Sequence, residues 1–332
     1  MNTIVECVPN FSEGRNKGTI NAIADNIRRV NGVKLLNVEP DNDYNRSVVT
    51  FVGELNAVVE AAFQATKTAA ELIDMRQHKG EHPRIGATDV VPFVPVSGVT
   101  MKDCVRLANE YGERVARELH IPIYLYEEAA RRPERKNLAT VRKGEYEGLE
   151  EKLKDSVWLP DYGQPMFNAK SGATVTGARV FLIAYNVNLN TNNKDIAHEI
   201  ALKIRESGRT MKDAMGNSTK VPGSLKAVKA MGVLLERCNI AQVSINLTNF
   251  NITPPHVAFE EVKKEAEKLG VTVSGSEIVG LIPNEALLMA GSFYSNETTN
   301  NEQELVRLAI ERLGLSKLDH FDQNKKIIEY ML

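Results

Sequence analysis

The sequence predicts an α/β protein in the α+β sense: two subdomains, each a β-sheet with helices on one side in the ferredoxin-like βαββαβ order. Two observations carry this. A chain of 332 residues exceeds one ordinary compact core and reads as two modules. The pattern β-α-β-β-α-β runs once over residues 3–94 and again over 178–274, in hydrophobic periodicity and not in residue identity. The division expected is 1–178 and 179–332.

Taken in order, residues 3–8 read as a strand and 16–29 as an amphipathic helix. Gly32 precedes a strand at 33–38, and 45–52 is β-rich with Val48, Val49 and Phe51. Residues 55–75 carry a helical stripe of Val58, Val59, Ala62, Phe63, Ala69, Ala70 and Ile73, interrupted only at Thr66. A strand at 88–94 leads to a helix at 100–119, with Thr100 as N-cap and Asp103 three positions on. Residues 121–126 close the half as an apolar strand.

A polar stretch follows over 131–158. Residues 163–177, rich in Gly, Ser, Asn and Thr, have no period and read as an ordered functional loop or a linker. The second half repeats the order. It has a strand at 178–189, a helix at 195–206, strands at 225–235 and 241–252, a helix from Pro254 and Pro255 to 269, and a short strand at 271–274. Two modules side by side would place 163–177 near their junction, where ligand clefts commonly lie.

Composition bounds the function. With 42% hydrophobic and 25% charged residues the chain is an ordinary soluble globular sequence, and its net charge of -2 excludes nucleic acid as the main partner. No apolar run approaches the roughly 20 residues that span a bilayer, and no basic leader precedes an apolar segment, so neither membrane nor secretion is expected. Cys7, Cys104 and Cys238 are odd in number and far apart. They read as buried thiols in a reducing cytoplasm, not as a disulfide framework or a structural zinc site.

The densest chemistry is His78-Lys79-Gly80-Glu81-His82-Pro83-Arg84, which holds two of the six histidines. Three readings stay open. The run matches the H-x-x-E-H pattern of inverted zinc peptidases, but Gly80 and Pro83 oppose the helix that this chemistry needs. It also suits metal-free acid/base chemistry, with a histidine moving a proton, Glu81 orienting an imidazole and Arg84 holding a carboxylate or oxyanion. A plain solvated turn is the third. Further polar loops stand at strand ends. In 9–14, Ser12 or Asn10 reads as the cap of the following helix, whose N-terminus can also bind an anion. In 39–46, Asp41, Asn42 and Asp43 read as turn residues and Glu39 as the functional candidate. Arg131, Arg132, Arg135, Lys136, Arg142 and Lys143 form either a patch for a polyanionic tail or a solvated face balanced by Glu134, Glu145 and Glu147. His120, His198, His256 and His320 have no convergent partners.

The chain resembles the glutamate formimidoyltransferase family. The resemblance rests on Cys7-Val8-Pro9-Asn10-Phe11-Ser12-Glu13-Gly14, on Leu72-Ile73-Asp74-Met75 running into 78–84 and Ile85-Gly86-Ala87, and on Tyr124-Leu125-Tyr126 with Glu128-Ala129-Ala130-Arg131. Gly144-Glu145-Tyr146-Glu147, Gly172-Ala173, Gly177-Ala178-Arg179, Ala241-Gln242-Val243-Ser244, Asn246-Leu247 and Ile327-Ile328-Glu329-Tyr330 continue it over essentially the whole chain.

The resemblance implies transfer of a formimidoyl group from N-formimidoyl-L-glutamate to N5 of tetrahydrofolate in histidine degradation. Tetrahydrofolate, possibly polyglutamylated, would be a co-substrate in a groove between the subdomains of a homodimer, with no metal. A separate cyclodeaminase protein would act downstream, because the chain ends where that domain would begin. His82 falls on the family's catalytic histidine, and Arg84 on a matching arginine. Glu39 sits where the animal enzyme has aspartate. Gly163-Gln164-Pro165-Met166-Phe167-Asn168-Ala169-Lys170-Ser171-Gly172 falls on the folate-contacting stretch, its interior departing from the animal pattern. Formyl transfer from N-formylglutamate, and a folate-binding protein without catalysis, are the alternatives.

Overall fold

The structure, a computed structural model, describes residues 3–42, 44–212, 218–295 and 301–332; Asp43, read above as a turn residue, lies outside them. The chain divides into two compact units, Met1–Val180 and Phe181–Leu332.

The first unit begins with β1 (Ile4–Cys7) and β2 (Asn10–Phe11), which form one strand column broken at Val8 and Pro9. Then come α1 (Lys17–Arg28), β3 (Val33–Asp41), β4 (Arg46–Gly53), α2 (Leu55–Leu72) and β5 (Thr88–Ser97). The spatial order β3, β4, β1/β2, β5 is antiparallel throughout and is the ferredoxin-like arrangement. After α3 (Met101–Leu119) come β6 (Ile123–Glu127), α4 (Leu138–Arg142), α5 (Leu149–Lys152) and β7 (Thr174–Ala178). β7 inserts between β5 and β6 and runs parallel to both. The segment read as an aperiodic loop to residue 177 therefore ends in a buried central strand. Its alternating Thr174, Val175 and Thr176 resemble a loop in composition, and the threonine hydroxyls donate to Thr88 O (2.6 Å) and Val91 O (2.8 Å).

Local chemistry explains the helices. The side chain of Asn16, not Ser12 or Asn10, caps α1 by accepting from Gly18 N and Thr19 N, and Ile20, Ile23, Ala24 and Ile27 face the core. Thr100 and Asp103 form the expected capping box on α3. Thr66, which breaks the apolar stripe of α2, shares a 2.6 Å hydrogen bond with the buried Tyr111 hydroxyl of α3. The three long helices pack on one sheet face, through Val5, Cys7, Phe51, Val91 and Phe93. The other face is not bare, as helices on one side alone would leave it. Val141, Leu149 and Leu153 cover Val90, Tyr124, Tyr126 and Val175 there.

The second unit comprises β8 (Ile183–Leu189), α6 (Lys194–Ile204), the hairpin strands β9 (Arg209–Lys212) and β10 (Ser218–Val221), β11 (Val228–Leu235), β12 (Ile240–Leu247), α7 (Pro255–Lys268) and β13 (Val273–Val279). Three helices follow: α8 (Asn284–Tyr294), α9 (Glu302–Arg312) and the single turn α10 (Gln323–Lys326). The sheet order β11, β12, β8, β13, all antiparallel, repeats the first unit's arrangement. The strand expected from 178 starts at Ile183, and that expected to reach 252 ends at Leu247, which leaves Ile252 exposed. Cys7 and Cys104 are buried, as expected, whereas Cys238 is only half-buried.

The basic run at 131–143 is mostly built in. Arg135 is fully buried, donating to Asp161 at 2.6 Å, Val157 O at 2.9 Å and Leu159 O at 2.6 Å. Arg142 pairs with Asp89, Arg131 donates to the Tyr162 hydroxyl, and Arg132 donates to Val157 O. Only Lys136 and Lys143 point freely outward among these six, so the run is neither a polyanion patch nor the face balanced by nearby glutamates. Replacing Arg135 by Met would leave the buried Asp161 carboxylate without its cation. We expect a loss of roughly 3–5 kcal/mol, read as a lower urea midpoint at unchanged slope; a midpoint within experimental error of the parent would refute the buried pair's role.

Candidate functional site

The segment 78–84 has no helical turn and lies against the start of β4. Gly80 permits this approach: a Cβ there would sit 2.3 Å from Tyr44 O and 2.7 Å from the Asn45 Cβ. Asn45 is the hub of the contact. It adopts the left-handed conformation that asparagine tolerates (φ 47°). Its side chain donates to Lys79 O (2.9 Å) and accepts from Gly14 N (2.9 Å), and its carbonyl accepts from His78 Nε2 (2.9 Å). Gly14 is equally constrained, a Cβ there falling 1.9 Å from Asp41 O. The three polar loops noted in the sequence at 9–14, 39–46 and 78–84 thus meet.

Both nitrogens of His78 are engaged. Arg84 Nε donates to Nδ1 at 3.2 Å, which fixes the proton on Nε2. Burial holds this imidazole below its ordinary pKa; the Asn45 carbonyl opposes the shift and Arg84 adds to it. A neutral ring with neither nitrogen free is a brace, and it does not supply half of the zinc pair that the H-x-x-E-H match requires. Among the described residues, no group of three or more His, Cys, Asp or Glu side chains is arranged to hold a metal ion.

Arg84 differs from its expected role. Its side chain is 5% exposed, and it is the buried hub of a network whose two glutamates remain open to solvent. The guanidinium donates to both oxygens of Glu147, at 2.6 and 2.8 Å, and to Glu145 at 2.9 Å, in addition to His78. The Glu147 hydrogen bonds raise the Arg84 pKa and lower that of Glu147. A fork so occupied positions the loop, and leaves little to offer a substrate carboxylate or oxyanion. Glu81, expected to orient an imidazole, is exposed and makes no hydrogen bond among the described residues.

His82 is half-buried, its ring edge-on to Tyr44 at 6.4 Å, and no hydrogen bond to a described residue ties its nitrogens. Its pKa is pushed down to about 3, by burial first and then by Arg46, Arg142, Arg84 and His78. At neutral pH it is an uncharged base in a positive field. Glu39 lies opposite Val48 on β4, on the sheet face it shares with Asn10, and its nearest influence is on Arg46. Among the described residues, no hydrogen bond or ring contact joins it to His82.

The stretch 163–172 runs along the outside of the first unit. Gly163, Gln164 and Met166 line a cavity of about 450 Å³ with Glu113, Arg117, His120 and Tyr162. Phe167 packs on Tyr146 at 5.4 Å, and Asn168 Nδ2 donates to His120 O at 3.3 Å. Lys170 O accepts from Met75 N (2.9 Å), and Ser171 O accepts from Ala87 N (2.9 Å). Its C-terminal end therefore braces the roots of the 78–84 loop, while Pro165, Ala169 and Gly172 complete the path without touching His82. A second cavity, of about 500 Å³, is lined by Lys79, Gly80, Glu81, Arg84, Gly144, Glu145 and Glu147.

The sequence reading missed Asn45, Arg46, Asp89 and Arg142 as site residues. A usable signal existed for Asn45 and Arg46, which fall in a loop already singled out, and for Arg142, which belongs to the basic run noted at 131–143. Arg142 reaches the site through Asp89, a contact between residues 53 positions apart.

Comparison with known proteins adds to this geometry. A family described as formiminotransferase domain, N-terminal subdomain matches residues 4–179, and one described as formiminotransferase domain matches 184–332. A formimidoyltransferase-cyclodeaminase of Dictyostelium discoideum is 52% identical over all of this chain, which spans 61% of that protein's length. Two proteins named glutamate formimidoyltransferase are matched over nearly their full lengths. That of Streptococcus pyogenes is 49% identical, covering 89% of this chain and 94% of the relative; that of Thermoplasma acidophilum is 47% identical, covering 93% and 98%.

The depressed basicity of His82 has two readouts. By imidazole ¹⁵N NMR the His82 ring should stay neutral at pH 5, and titration near 6.5 would exclude the buried cationic setting described. Because the unfolded chain takes up this proton near 6.5 and the folded chain only near 3, His82 should reduce stability progressively as pH falls through that window.

Proposed function

The chain belongs to the formiminotransferase family, and from that premise we propose that it transfers the formimidoyl group of N-formimidoyl-L-glutamate to N5 of tetrahydrofolate, yielding 5-formimidoyltetrahydrofolate and L-glutamate. The observation that carries the mechanism is a neutral, half-buried His82 beside Arg46, Arg142 and Arg84. N5 attacks the formimidoyl carbon and forms a C–N bond, and His82 takes the N5 proton. The tetrahedral centre then collapses: the bond to the glutamate nitrogen breaks, and the imidazolium returns its proton to that nitrogen. A ring that holds a proton weakly is a strong acid once protonated, which suits the second step.

Acid/base assistance of this kind is worth roughly 10²–10⁴-fold, and holding two substrates in register contributes about 7–11 kcal/mol. In this reading Arg84 positions the loop and does not touch the reacting atoms. Glu39 supplies negative charge for the cationic formimidoyl group, at a distance set by its place on β3. Residues 163–172 take the folate, with Tyr162 and Met166 offering the flat apolar contact that a pterin or aminobenzoyl ring needs. A homodimer and a cytoplasmic location belong to the same proposal; the separated free cysteines fit a reducing compartment. Among the described residues no helix is long and apolar enough to cross a membrane.

Mixing the protein with tetrahydrofolate and the formimidoyl donor, with products resolved by mass, should yield the 5-formimidoyl adduct. Product from N-formylglutamate alone would overturn the donor assignment. His82→Ala should lower kcat by roughly 10²–10⁴-fold with folate affinity changed little; intact kcat with weakened folate binding would make His82 a binding residue.

A further inference from the structure

The occupancy of Arg84 leaves open which group receives the donor. N-formimidoylglutamate is a dicarboxylate, and its reacting nitrogen is one bond from the carbon that bears the α-carboxylate. A cation near His82 must meet that charge. The cavity beside Arg84 is unsuited, because that guanidinium is already held by three hydrogen bonds to Glu145 and Glu147 on the same wall.

Two other guanidinium groups flank β2. Arg46, on β4, donates one long hydrogen bond to Asn10 at 3.3 Å and has no ion pair among the described residues. Its partial compensation comes at a distance from Asp41 and Glu39, and Tyr44 lies under it at 5.8 Å. Arg142, on the other side, is anchored by Asp89, whose second oxygen accepts from Ile85 N at 3.0 Å. The Nε atoms of both Arg46 and Arg142 are buried without a hydrogen-bond partner. Each cation acts unfavourably on the other and on His82. Two half-buried like charges, one of them unpaired, form a costly arrangement that an anion would relieve.

We propose that Arg46 and Arg142 receive the two carboxylates of the donor's glutamyl skeleton and so set the enzyme's specificity for a dicarboxylate. The proposal rests on the formimidoyl-transfer reading. The glutamyl tail of folate carries the same chemistry, but the aminobenzoyl spacer holds it far from N5, whereas these cations act on the imidazole at the reacting centre. Filling the site would also cancel the positive field on His82, so donor binding would prime the base.

Steady-state kinetics of Arg46→Met test this, because Arg46 has no buried carboxylate to strand. The donor KM should rise roughly 10–100-fold, with the tetrahydrofolate KM within about twofold, and Arg46→Lys should recover part of the loss. An unchanged donor KM, or a rise in the folate KM instead, would overturn the proposal; the second result would assign the pair to the folate tail. A binding arm needs neither turnover nor a variant. Glutarate added to the parent protein should raise the His82 pKa seen by ¹⁵N NMR, whereas neutral glutaramide should not. No response to glutarate would overturn the clamp. Parent protein that responds to glutarate yet forms no transferred product would instead overturn the reaction and leave the dicarboxylate site standing.

Discussion

A guanidinium cannot shed its charge when it is taken out of water, so Arg84 has to be neutralised where it lies. At 4% exposure it recruits Glu145 and Glu147 from the turn after α4 and His78 from its own loop. The turn is shaped for the purpose, with Gly144 at φ 90° and Glu145 at φ 54°, and Tyr146 N donates to Arg84 O at 2.8 Å. Because Glu145 and Glu147 remain partly solvated, the network retains hydration on its outer side while its cation stays buried. A second bracket, Arg142 on Asp89 on Ile85 N, grips the other end of the same short segment. Between the two, residues 84–89 are held from both sides, and the 78–84 loop has one way to leave them.

That constraint gives the close approach at Gly80 its meaning. A loop free to drift would tolerate a methyl group there by moving away; a loop pinned at Arg84 and at His78 has no room to move. Asn45 completes the restraint by accepting strain of its own, trading a left-handed backbone for three hydrogen bonds, one to the 9–14 loop and two to the 78–84 loop. His82 emerges from this framework with little holding its own ring. The hydrogen bonds hold the loop, and among the described residues none ties the His82 nitrogens.

The legibility of the sequence follows the range of the interactions involved. The doubled strand–helix order, the Thr100 cap and the 78–84 loop are local patterns, and each is where periodicity and turn chemistry put it. β7 escaped notice because its threonines, which bond neighbouring carbonyls, and its glycine give a buried central strand the composition of a loop. The network around Arg84 was not legible for a related reason: its partners lie 61 and 63 residues away, and no spacing rule anticipates them. The basic run at 131–143 read as a surface feature because a sequence shows charge but not burial, and Arg135 and Arg142 are each paired with a buried aspartate. Resemblance to a family located His82; the fold shows what surrounds it.

The electrostatics of His82 join binding to chemistry in one site. Burial and three arginines favour the neutral ring and make its conjugate acid a strong one. On the proposed reading, an anionic donor seated among those arginines would remove part of the repulsion and make the protonated intermediate accessible. In the formimidoyl transfer proposed above, a neutral His82 would spare the cationic formimidoyl group one further positive charge beside it. On the same reading, the charge that would draw a dicarboxylate is also the charge that keeps the imidazole unprotonated, so a change to either guanidinium should alter both functions at once.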